Sequence, residues 1–310
     1  MVYRLMIGLG AAGVRDVLFM PAAAGVGESL RRHLRGNTGS RKQSLPELET
    51  LEMRTFGDSR DTAEAVRRMR ERGVAALIIL GGDGTCRVAS NHSDDTPICA
   101  LSTGTNNAFP EFREATVAGL ATGLVATGEL AGAAVRREKA LRVGVDGEED
   151  VALVDVAVCR ERWIGARALY EPGAVSEIFV TSAAPHAVGL SSVAGLLEPI
   201  SRDDPQGLRV SLTAPDEADT VLSVPLAPGL VSRVGVASYR RLAAGERVRL
   251  DPAHGSLALD GEREIELRPE HAAEVWLSAD GPLTVDVEEC MRRAAREGLL
   301  NGSRPAPGSV

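Results

Sequence analysis

The hydrophobic pattern of the first part of the chain alternates between helix-type and strand-type segments. Residues 62–72 place charged side chains around a narrow apolar stripe and stop at Gly73, as an amphipathic helix does. Residues 75–80 (AALIIL) and 97–101 (PICAL) are uninterrupted apolar runs, typical of strands buried on both faces of a parallel sheet. Further helices are predicted at residues 2–13, 26–34 and 115–127, and further strands at residues 16–20 and 48–56. This alternation predicts an open parallel α/β (Rossmann-like) domain over residues 1–137.

The pattern changes between Gly132 and Leu141, where short β-type runs separated by turn residues take over. Residues 138–300 are therefore predicted to form a second, all-β sandwich domain that ends in a helix over residues 287–300. Residues 301–310, rich in Gly, Pro and Ser, are predicted to be a flexible tail. The predicted strands are residues 141–145, 151–158, 178–181, 208–212, 220–224, 247–251, 256–259, 265–267, 274–277 and 283–287.

The most informative segment is GGDGT at residues 81–85, directly after the apolar run AALIIL. In an open α/β sheet, ligands bind at the carboxyl ends of strands. Three glycines let the backbone turn sharply and approach a phosphate group, whose oxygens their N–H groups can bind. Asp83 among them suits a base for an acceptor hydroxyl or a group that orients Mg²⁺. The alternative is a tight strand-to-helix turn without a ligand.

A second polar loop, STGTNNAFP at residues 102–110, follows the next predicted strand. Its hydroxyl and amide side chains can hold a triphosphate or a ribose by hydrogen bonds. The alternative is a cluster of turn and helix-capping residues. Because parallel strands end at the same edge of a sheet, we expect this loop to lie beside residues 81–85.

Composition and charge limit the kinds of partner that the protein is expected to bind. The net charge of −8 argues against general nucleic-acid binding, and 3% aromatic residues leave little for base stacking. No apolar run approaches the roughly 20 residues of a membrane span. Arg15 and Asp16 interrupt the N-terminal apolar run before Ala22, unlike a signal peptide, so we expect a cytoplasmic protein. The four cysteines form no CxxC pair and are interpreted as small buried hydrophobes.

Several common motifs are rejected. Gly8–Gly13 fits GxGxxG, but it precedes a predicted strand instead of following one, which is the wrong order for dinucleotide binding. The only lysines, Lys42 and Lys139, do not follow a glycine, so there is no Walker A loop. The histidines form no HxxxH or HxH pair, and no GxSxG segment is present.

GGDGT followed by a GTxN loop resembles the signature of the NAD kinase and diacylglycerol kinase superfamily. The sequence is more similar to that of the ATP-NAD kinase-like family named acetoin catabolism protein X. The resemblance covers nearly the whole chain. The matching segments are residues 8–14 (GLGAAGV), 102–110, 152–158 (ALVDVAV), 163–172 (WIGARALYEP), 184–195 (APHAVGLSSVAG), 225–231 (PLAPGLV) and 257–267 (LALDGEREIEL).

The resemblance implies roles for particular residues. Asp83 would be the acidic residue of the active site. Asp260 and Glu262 match the Asp-Gly-Glu turn that serves metal and catalysis in the lipid kinases, although Asp-Gly is also a favoured hairpin turn. Contacts to ATP phosphates or the acceptor would come from Gly81, Gly82, Gly84, Thr85, Thr103, Gly104, Thr105, Asn106 and Asn107.

The sequence differs from that of NAD kinases at the residues that bind the acceptor. Those enzymes have an Asn-Glu pair for the nucleoside end of the substrate, and here Val154 and Asp155 stand at that place. Asp155 is therefore the candidate acceptor-binding residue. The Gly-Ser-Thr-Ala-Tyr stretch of the dinucleotide pocket corresponds to residues 185–192 (PHAVGLSS), which lack the tyrosine. NAD as acceptor is in doubt.

The leading hypothesis is an ATP-dependent kinase that uses Mg²⁺ and phosphorylates a hydroxyl of NAD or of another small polyol or hydroxyketone. The rival is a non-catalytic nucleotide-binding regulatory protein on the same fold, since fold does not fix function. A lipid kinase is a third hypothesis, disfavoured by the few aromatic residues. We expect a nucleotide and a small acceptor as partners, no nucleic acid and no membrane, and leave a homo-oligomer open.

The superfamily opens with a strand and an Asn-Pro-x-Ser-Gly loop that helps to hold ATP phosphates. No segment of this sequence matches them, and residues 1–14 resemble the helix that follows that loop. Either the gene product begins upstream, which we favour, or the strand has been lost. We expect an unpaired strand edge beside residues 81–85 and weak nucleotide affinity.

Overall fold

The computed structural model describes residues 1–21, 45–104, 107–160, 173–251, 255–261 and 263–301. The predicted helix at residues 26–34 and the predicted tail at residues 302–310 lie outside these ranges. The helices are α1 (Val2–Ala11), α2 (Ser59–Glu71), α3 (Asp83–Ser93), α4 (Ala115–Ala126), α5 (Ser191–Leu197) and α6 (Val287–Glu297).

Seventeen strands lie within the described residues. They are β1 (Asp16–Phe19), β2 (Glu47–Thr50), β3 (Leu77–Gly81), β4 (Ile98–Ser102), β5 (Val135–Arg137), β6 (Ala140–Val145), β7 (Glu148–Ala152), β8 (Asp155–Cys159), β9 (Val175–Val180), β10 (Gly207–Thr213), β11 (Thr220–Ala227), β12 (Leu230–Leu242), β13 (Arg247–Arg249), β14 (Gly255–Leu259), β15 (Arg263–Leu267), β16 (Ala273–Ser278) and β17 (Leu283–Val285).

The N-terminal part is the predicted parallel α/β structure. β1 pairs with β2 in parallel, and a separate four-stranded sheet has the order β3-β4-β17-β5. β3 and β4 are parallel and in register from Leu77 opposite Ile98 to Gly81 opposite Ser102, so the two predicted polar loops start at the same edge. β3 is the terminal strand of this sheet, with no described strand on its other side.

Two antiparallel sheets form the second part. One has the order β11-β12-β10-β9-β8-β14-β15, and the other has the order β13-β16-β6-β7. Leu141 and Val275 of the smaller sheet pack with Phe179 and Leu257 of the larger sheet in one buried cluster. The facing sheets confirm the predicted α/β class with an N-terminal parallel sheet followed by a β-sandwich.

The chain passes from the first sheet to the smaller antiparallel sheet between Arg137 and Ala140. The end of the chain then returns. β17 pairs with β4 and β5, and Cys290 of α6 donates a hydrogen bond from its thiol to the Ala121 carbonyl of α4. The assignment of residues 283–300 to the β-sandwich is therefore wrong: Val285, Val287, Cys290 and Ala294 are buried with side chains of the first sheet and α4.

Gly8 explains the rejected GxGxxG motif. It lies within α1, which packs tightly against α4, and a Cβ at this position would lie 2.1 Å from the Thr116 carbonyl oxygen and 2.6 Å from the Leu120 nitrogen. The glycine permits two helix backbones to approach each other. No dinucleotide is needed to account for it.

Gly8→Ala is therefore expected to destabilise the protein by about 1–3 kcal/mol, as overpacking of a tight contact does. The free energy of unfolding from urea titration is the measurement. Val117→Ala, on the exposed side of α4, is the matched control and should change it by less than about 0.5 kcal/mol. A Gly8→Ala protein as stable as the control would show that the two helices can separate at little cost.

None of the helices within the described residues combines the length and the apolar character needed to cross a bilayer. All four cysteines are buried and free, as expected from the sequence.

Candidate functional site

The site begins where β3 runs into α3. Gly82 is the N-cap of α3 with an extended backbone and no capping side chain, and Asp83 is the first residue of the helix. Leu77 and Ile79 of β3 pack against α2 and α3, and the strand pairs with β4, so its end holds the helix N-terminus at the edge of the sheet. The N-terminus of a helix favours negative charge in a ligand.

The Asp83 side chain joins the two polar loops. Its carboxylate accepts hydrogen bonds from the Ala108 N–H at 3.1 Å and from the Phe109 N–H at 2.8 Å. The two loops thus lie side by side, as predicted, and Asp83 orders the second loop. A carboxylate offers about four acceptor positions, so this structural contact is compatible with a further hydrogen bond to a ligand.

The glycines of both loops are required by close packing within the site. A Cβ at Gly82 would lie 2.8 Å from Oδ1 of Asn107, and one at Gly104 would lie 3.1 Å from Nδ2 of the same side chain. Asn107 in turn donates to the Ser102 hydroxyl at 2.8 Å, and that hydroxyl donates to the Gly104 carbonyl at 3.0 Å. The two loops form one hydrogen-bonded unit.

Asp260 is the central buried residue of the second part of the site. Its carboxylate accepts hydrogen bonds from the backbone N–H groups of Leu153 (3.0 Å), Val154 (2.8 Å) and Asp155 (3.3 Å). It lies in the predicted turn after β14, where both Asp260 and Gly261 have positive φ angles, as in a type I′ pair. Asp260 therefore holds the connection between β7 and β8 in place.

Burial raises the pKa of Asp260 to about 7, although the Leu153 and Val154 N–H groups lower it. The nearby Asp83 raises this pKa further, and Arg87 lowers it. Arg87 of α3 is buried, with its Nε 3.8 Å from Asp260 and its Nη1 3.5 Å from Asp150. One buried guanidinium thus offsets part of the negative charge of the site.

Asp155 stands at the start of β8 and is buried. Burial raises the pKa of its carboxyl well above the usual value, and the negative charges of Asp260 and Asp83 add to this effect. The three acidic residues come from the α/β sheet, from β8 and from the β14 turn, and they interact electrostatically. The structure brings Asp83, Asp155 and Asp260 together at the junction of the two parts.

The raised pKa of Asp155 gives a pH-dependent stability. In the unfolded chain the carboxyl ionises near its usual pKa of 3.8, whereas in the folded protein it keeps its proton to a higher pH. The folded state then binds more protons, so this residue lowers the free energy of unfolding as the pH rises above that value. Asp155→Asn, which stays neutral, is expected to gain stability relative to the wild type between pH 5 and pH 8.

Urea titrations at both pH values measure this difference. Asp219→Asn, on an exposed turn, is the matched control and should show no such change. A stability difference between Asp155→Asn and the wild type that is the same at pH 5 and pH 8 would contradict the prediction.

A further contact that was not predicted holds the second loop in place. Arg202 donates from Nη2 to the Ala108 carbonyl at 2.8 Å and to the Phe109 carbonyl, and its guanidinium lies 5.2 Å from the centre of the Phe109 ring. The Ala108–Phe109 backbone is thus held by Asp83 through its N–H groups and by Arg202 through its carbonyls. Nothing in the sequence around Arg202 signals this role.

Lys139 fixes the loop that carries Arg202. Its buried ammonium donates to the backbone carbonyls of Ser201 (3.1 Å), Asp204 and Gln206 (2.8 Å). Burial lowers the pKa of this lysine, and the neighbouring Asp204 partly opposes that shift. Lys139 therefore acts as an internal cation that shapes the 201–206 loop.

The other predicted site residues lie around this centre. Gly81 and Gly84 are buried, Thr85 is half-buried, and Thr103 is exposed with its N–H bonded to the Gly81 carbonyl at 3.3 Å. Thr105, Asn106 and Glu262 lie outside the described residues. Within the described ranges no three acidic, His or Cys side chains are placed to hold a metal ion, and the Asp260 carboxylate is engaged by backbone N–H groups.

The chain is similar to several known proteins. Residues 6–130 match the family model of the ATP-NAD kinase N-terminal domain, and residues 139–280 match that of the acetoin catabolism protein X C-terminal domain. Among solved structures, an NAD kinase from Archaeoglobus fulgidus in complex with ATP superposes with a TM-score of 0.41 at 13% identity, over 93% of this chain and 99% of that one. A putative diacylglycerol kinase from Bacillus anthracis str. Sterne gives a TM-score of 0.45 at 13% identity, over 88% and 96%.

Acetoin catabolism protein X of Cupriavidus necator is 43% identical over 315 aligned positions, which cover 100% of this chain and 87% of that protein. Identity at this level over the whole chain shows the family. The protein belongs to the acetoin catabolism protein X family.

Proposed function

We propose that this protein is an ATP-dependent phosphotransferase that phosphorylates a hydroxyl group of a small acceptor. The observation that carries the proposal is that Asp83, which accepts hydrogen bonds from the second loop, interacts electrostatically with the buried Asp155 of the other part of the chain. Phosphoryl transfer needs positioning of the phosphate and a group that takes or directs the acceptor proton. The glycine loop and the two carboxyl groups offer these two elements.

Asp83 is proposed to accept or direct the proton of the acceptor hydroxyl. A carboxyl group with a raised pKa, such as that of Asp155, suits proton transfer and hydrogen bonding to an acceptor near neutral pH. The proposed contacts to the nucleotide come from Gly82, Gly84 and Thr85 at the start of α3, where the helix dipole favours phosphate.

The donor set of the site is compatible with Mg²⁺ bound together with ATP. Mg²⁺ is commonly held by one or two carboxylates plus the phosphates of the substrate, and it prefers oxygen ligands. Asp83 supplies a carboxylate at the end of β3, whereas the carboxylate of Asp260 is engaged by backbone N–H groups. When bound, the ion would neutralise phosphate charge. The residues of the chain would bind, orient and exclude water.

The proposed acceptor is NAD or a small polyol or hydroxyketone such as acetoin, the compound in the name of the relative. The test incubates the protein with MgATP and one acceptor at a time: NAD, glycerol, acetoin, or diacylglycerol in vesicles. ADP release gives the rate and phosphorus NMR identifies the product. We expect turnover with one of the small acceptors, and none with diacylglycerol.

Asp155→Asn is expected to reduce that turnover, and Asp219→Asn, exposed and remote in sequence from both loops, is the control that should retain it. ATP binding without ADP release for any acceptor would contradict the proposal. It would instead favour the non-catalytic nucleotide-binding protein, a role consistent with the engagement of Asp83 by the Ala108 and Phe109 N–H groups.

A further inference from the structure

A cavity of about 550 Å³ lies where β4 and β17 diverge, and we name it the β4–α6 cavity. The two strands are parallel and share one residue pair, Ile98 opposite Thr284. Residues 98–101 of β4 line the cavity, together with residues 284–289, which run from β17 into α6. Among the described residues Asp83 does not line it, so it is separate from the glycine loop. Its volume is within the range of small-molecule sites.

The charges on the wall of the β4–α6 cavity nearly cancel. Within the described part of the chain, four arginines and five acidic residues line it. Each of the four arginines forms an ion pair with one of these acidic residues. An anion or a cation would have to compete with one of these pairs for its partner. The wall therefore favours an uncharged ligand.

Two of the ion pairs leave a gap that a hydroxyl group can bridge. Nη1 of Arg202 is 3.7 Å from Oε1 of Glu111, and Nη1 of Arg136 is 3.7 Å from Oδ2 of Asp286. Both distances are too long for a direct hydrogen bond and suit an oxygen atom between the two groups. A hydroxyl can accept from the guanidinium and donate to the carboxylate at once, which neither an ammonium group nor an ionised carboxylate can do.

The cavity also has room and apolar surface for a carbon chain. Leu101, Phe109 and Val285 are buried and contribute to its lining. The volume of 550 Å³ corresponds to about 18 water molecules at roughly 30 Å³ each. A compound of roughly a dozen non-hydrogen atoms therefore fits and leaves space for water. With several hydroxyl groups, such a compound can bridge both ion pairs and place its C–H groups against the apolar part of the wall.

Arg202 connects the cavity with the second loop. Its Nη1 is the atom near Glu111, whereas its Nη2 donates to the Ala108 carbonyl at 2.8 Å and to the Phe109 carbonyl. The N–H groups of the same two residues donate to Asp83. A ligand that binds Nη1 therefore acts on the guanidinium that holds the second loop.

We propose that the β4–α6 cavity is a binding site for a small uncharged polyhydroxy compound, a sugar or a sugar alcohol. Its hydroxyl groups bridge Arg202 with Glu111 and Arg136 with Asp286. Binding restrains the guanidinium of Arg202 and so orders the second loop. The cavity is an effector site beside the proposed phosphotransferase centre, and its occupation does not require catalysis.

The test compares three six-carbon compounds that differ in charge: sorbitol, adipate and hexane-1,6-diamine. Isothermal titration calorimetry measures their binding to the 310-residue protein, and amide hydrogen exchange of residues 108–113 measures the order of the second loop. We expect saturable binding of sorbitol, about tenfold tighter than that of either charged compound, since only the hydroxyl groups satisfy both members of an ion pair. Exchange of residues 108–113 should slow when sorbitol is bound.

Glu111→Gln removes the charge from one bridge and is expected to weaken sorbitol binding by about tenfold. Glu177→Gln is the matched control, because Glu177 is likewise a partly buried partner of an arginine, Arg209, but lies on the larger antiparallel sheet. It should bind sorbitol as the wild type does. Asp286→Asn is the second variant should Glu111→Gln not fold, because Asn removes the charge from the other bridge and is still a good helix N-cap.

The absence of saturable sorbitol binding would overturn the proposal, and so would tighter binding of adipate or of the diamine. Asp155→Asn, at the proposed acceptor site, separates this proposal from the proposed function. It should bind sorbitol as the wild type does. Loss of binding in Asp155→Asn together with full binding in Glu111→Gln would assign the polyol to the acceptor site and overturn the effector site.

Discussion

Asp83→Asn is expected to lower phosphoryl transfer by about 10²–10⁴-fold, the contribution of one acid–base group. The substitution keeps the shape of the side chain but removes its charge and basicity. It replaces Oδ2 with an NH₂ group, which cannot accept a hydrogen bond from Ala108, but the remaining Oδ1 can still accept from both Ala108 and Phe109. The second loop is thus expected to stay ordered.

The initial rate of ADP formation with the active acceptor is the measurement, with Asp219→Asn as the control. A melting temperature within a few degrees of the wild type separates loss of chemistry from loss of fold. Activity of Asp83→Asn above half of the wild-type value would remove Asp83 from the proposed catalytic role. It would leave only the structural contact to the second loop.

Asp260→Ala is expected to destabilise the protein by about 3–5 kcal/mol. The substitution leaves the N–H groups of Leu153, Val154 and Asp155 without the carboxylate that they contact in a buried place. Each unsatisfied buried donor costs about 1–3 kcal/mol. The buried Arg87 also loses a nearby negative charge.

Chemical unfolding measures the effect, and Asp260→Asn is the informative partner variant. Its amide oxygen can still accept from the backbone, so it should be less destabilised than Asp260→Ala. If both variants unfold at the wild-type denaturant concentration, the connection between β7 and β8 is held by other contacts. Asp260 would then be open to the metal-binding role that its resemblance to the lipid kinases implies.

The sequence predicted individual strands and helices better than it predicted which strands pair with each other. AALIIL and PICAL are apolar at every position, which is sufficient to identify β3 and β4 as buried strands. β17 carries a similar signal, but periodicity does not state which sheet a strand joins, and its return to β4 and β5 depends on a contact across more than 140 residues. β12 was missed because its 13 residues mix buried and exposed positions without regular alternation.

The same distinction applies to the site. Asp83 was predicted because glycines and a preceding apolar strand surround it in the sequence, and Asp155 only because of a family resemblance. Arg202 and Lys139 could not be predicted, since they act on backbone carbonyls that every residue has. The part that Asp260 plays in ordering residues 153–155 was likewise invisible, because it depends on an approach between segments about 106 residues apart.

The double hold on Ala108 and Phe109 makes the two parts of the protein thermodynamically dependent on each other. Asp83 belongs to the α/β part, and Arg202 belongs to the 201–206 loop that Lys139 holds. The Ala108–Phe109 dipeptide is therefore hydrogen-bonded to both parts. A ligand that shifts the second loop changes the contacts of Arg202, and any ligand that moves the 201–206 loop changes the contacts of Asp83. By linkage, any change in affinity that binding at one of these places causes at the other is reciprocal and equal in factor. Nucleotide and acceptor would then be sensed as a pair, with cooperativity that Arg202→Ala should abolish.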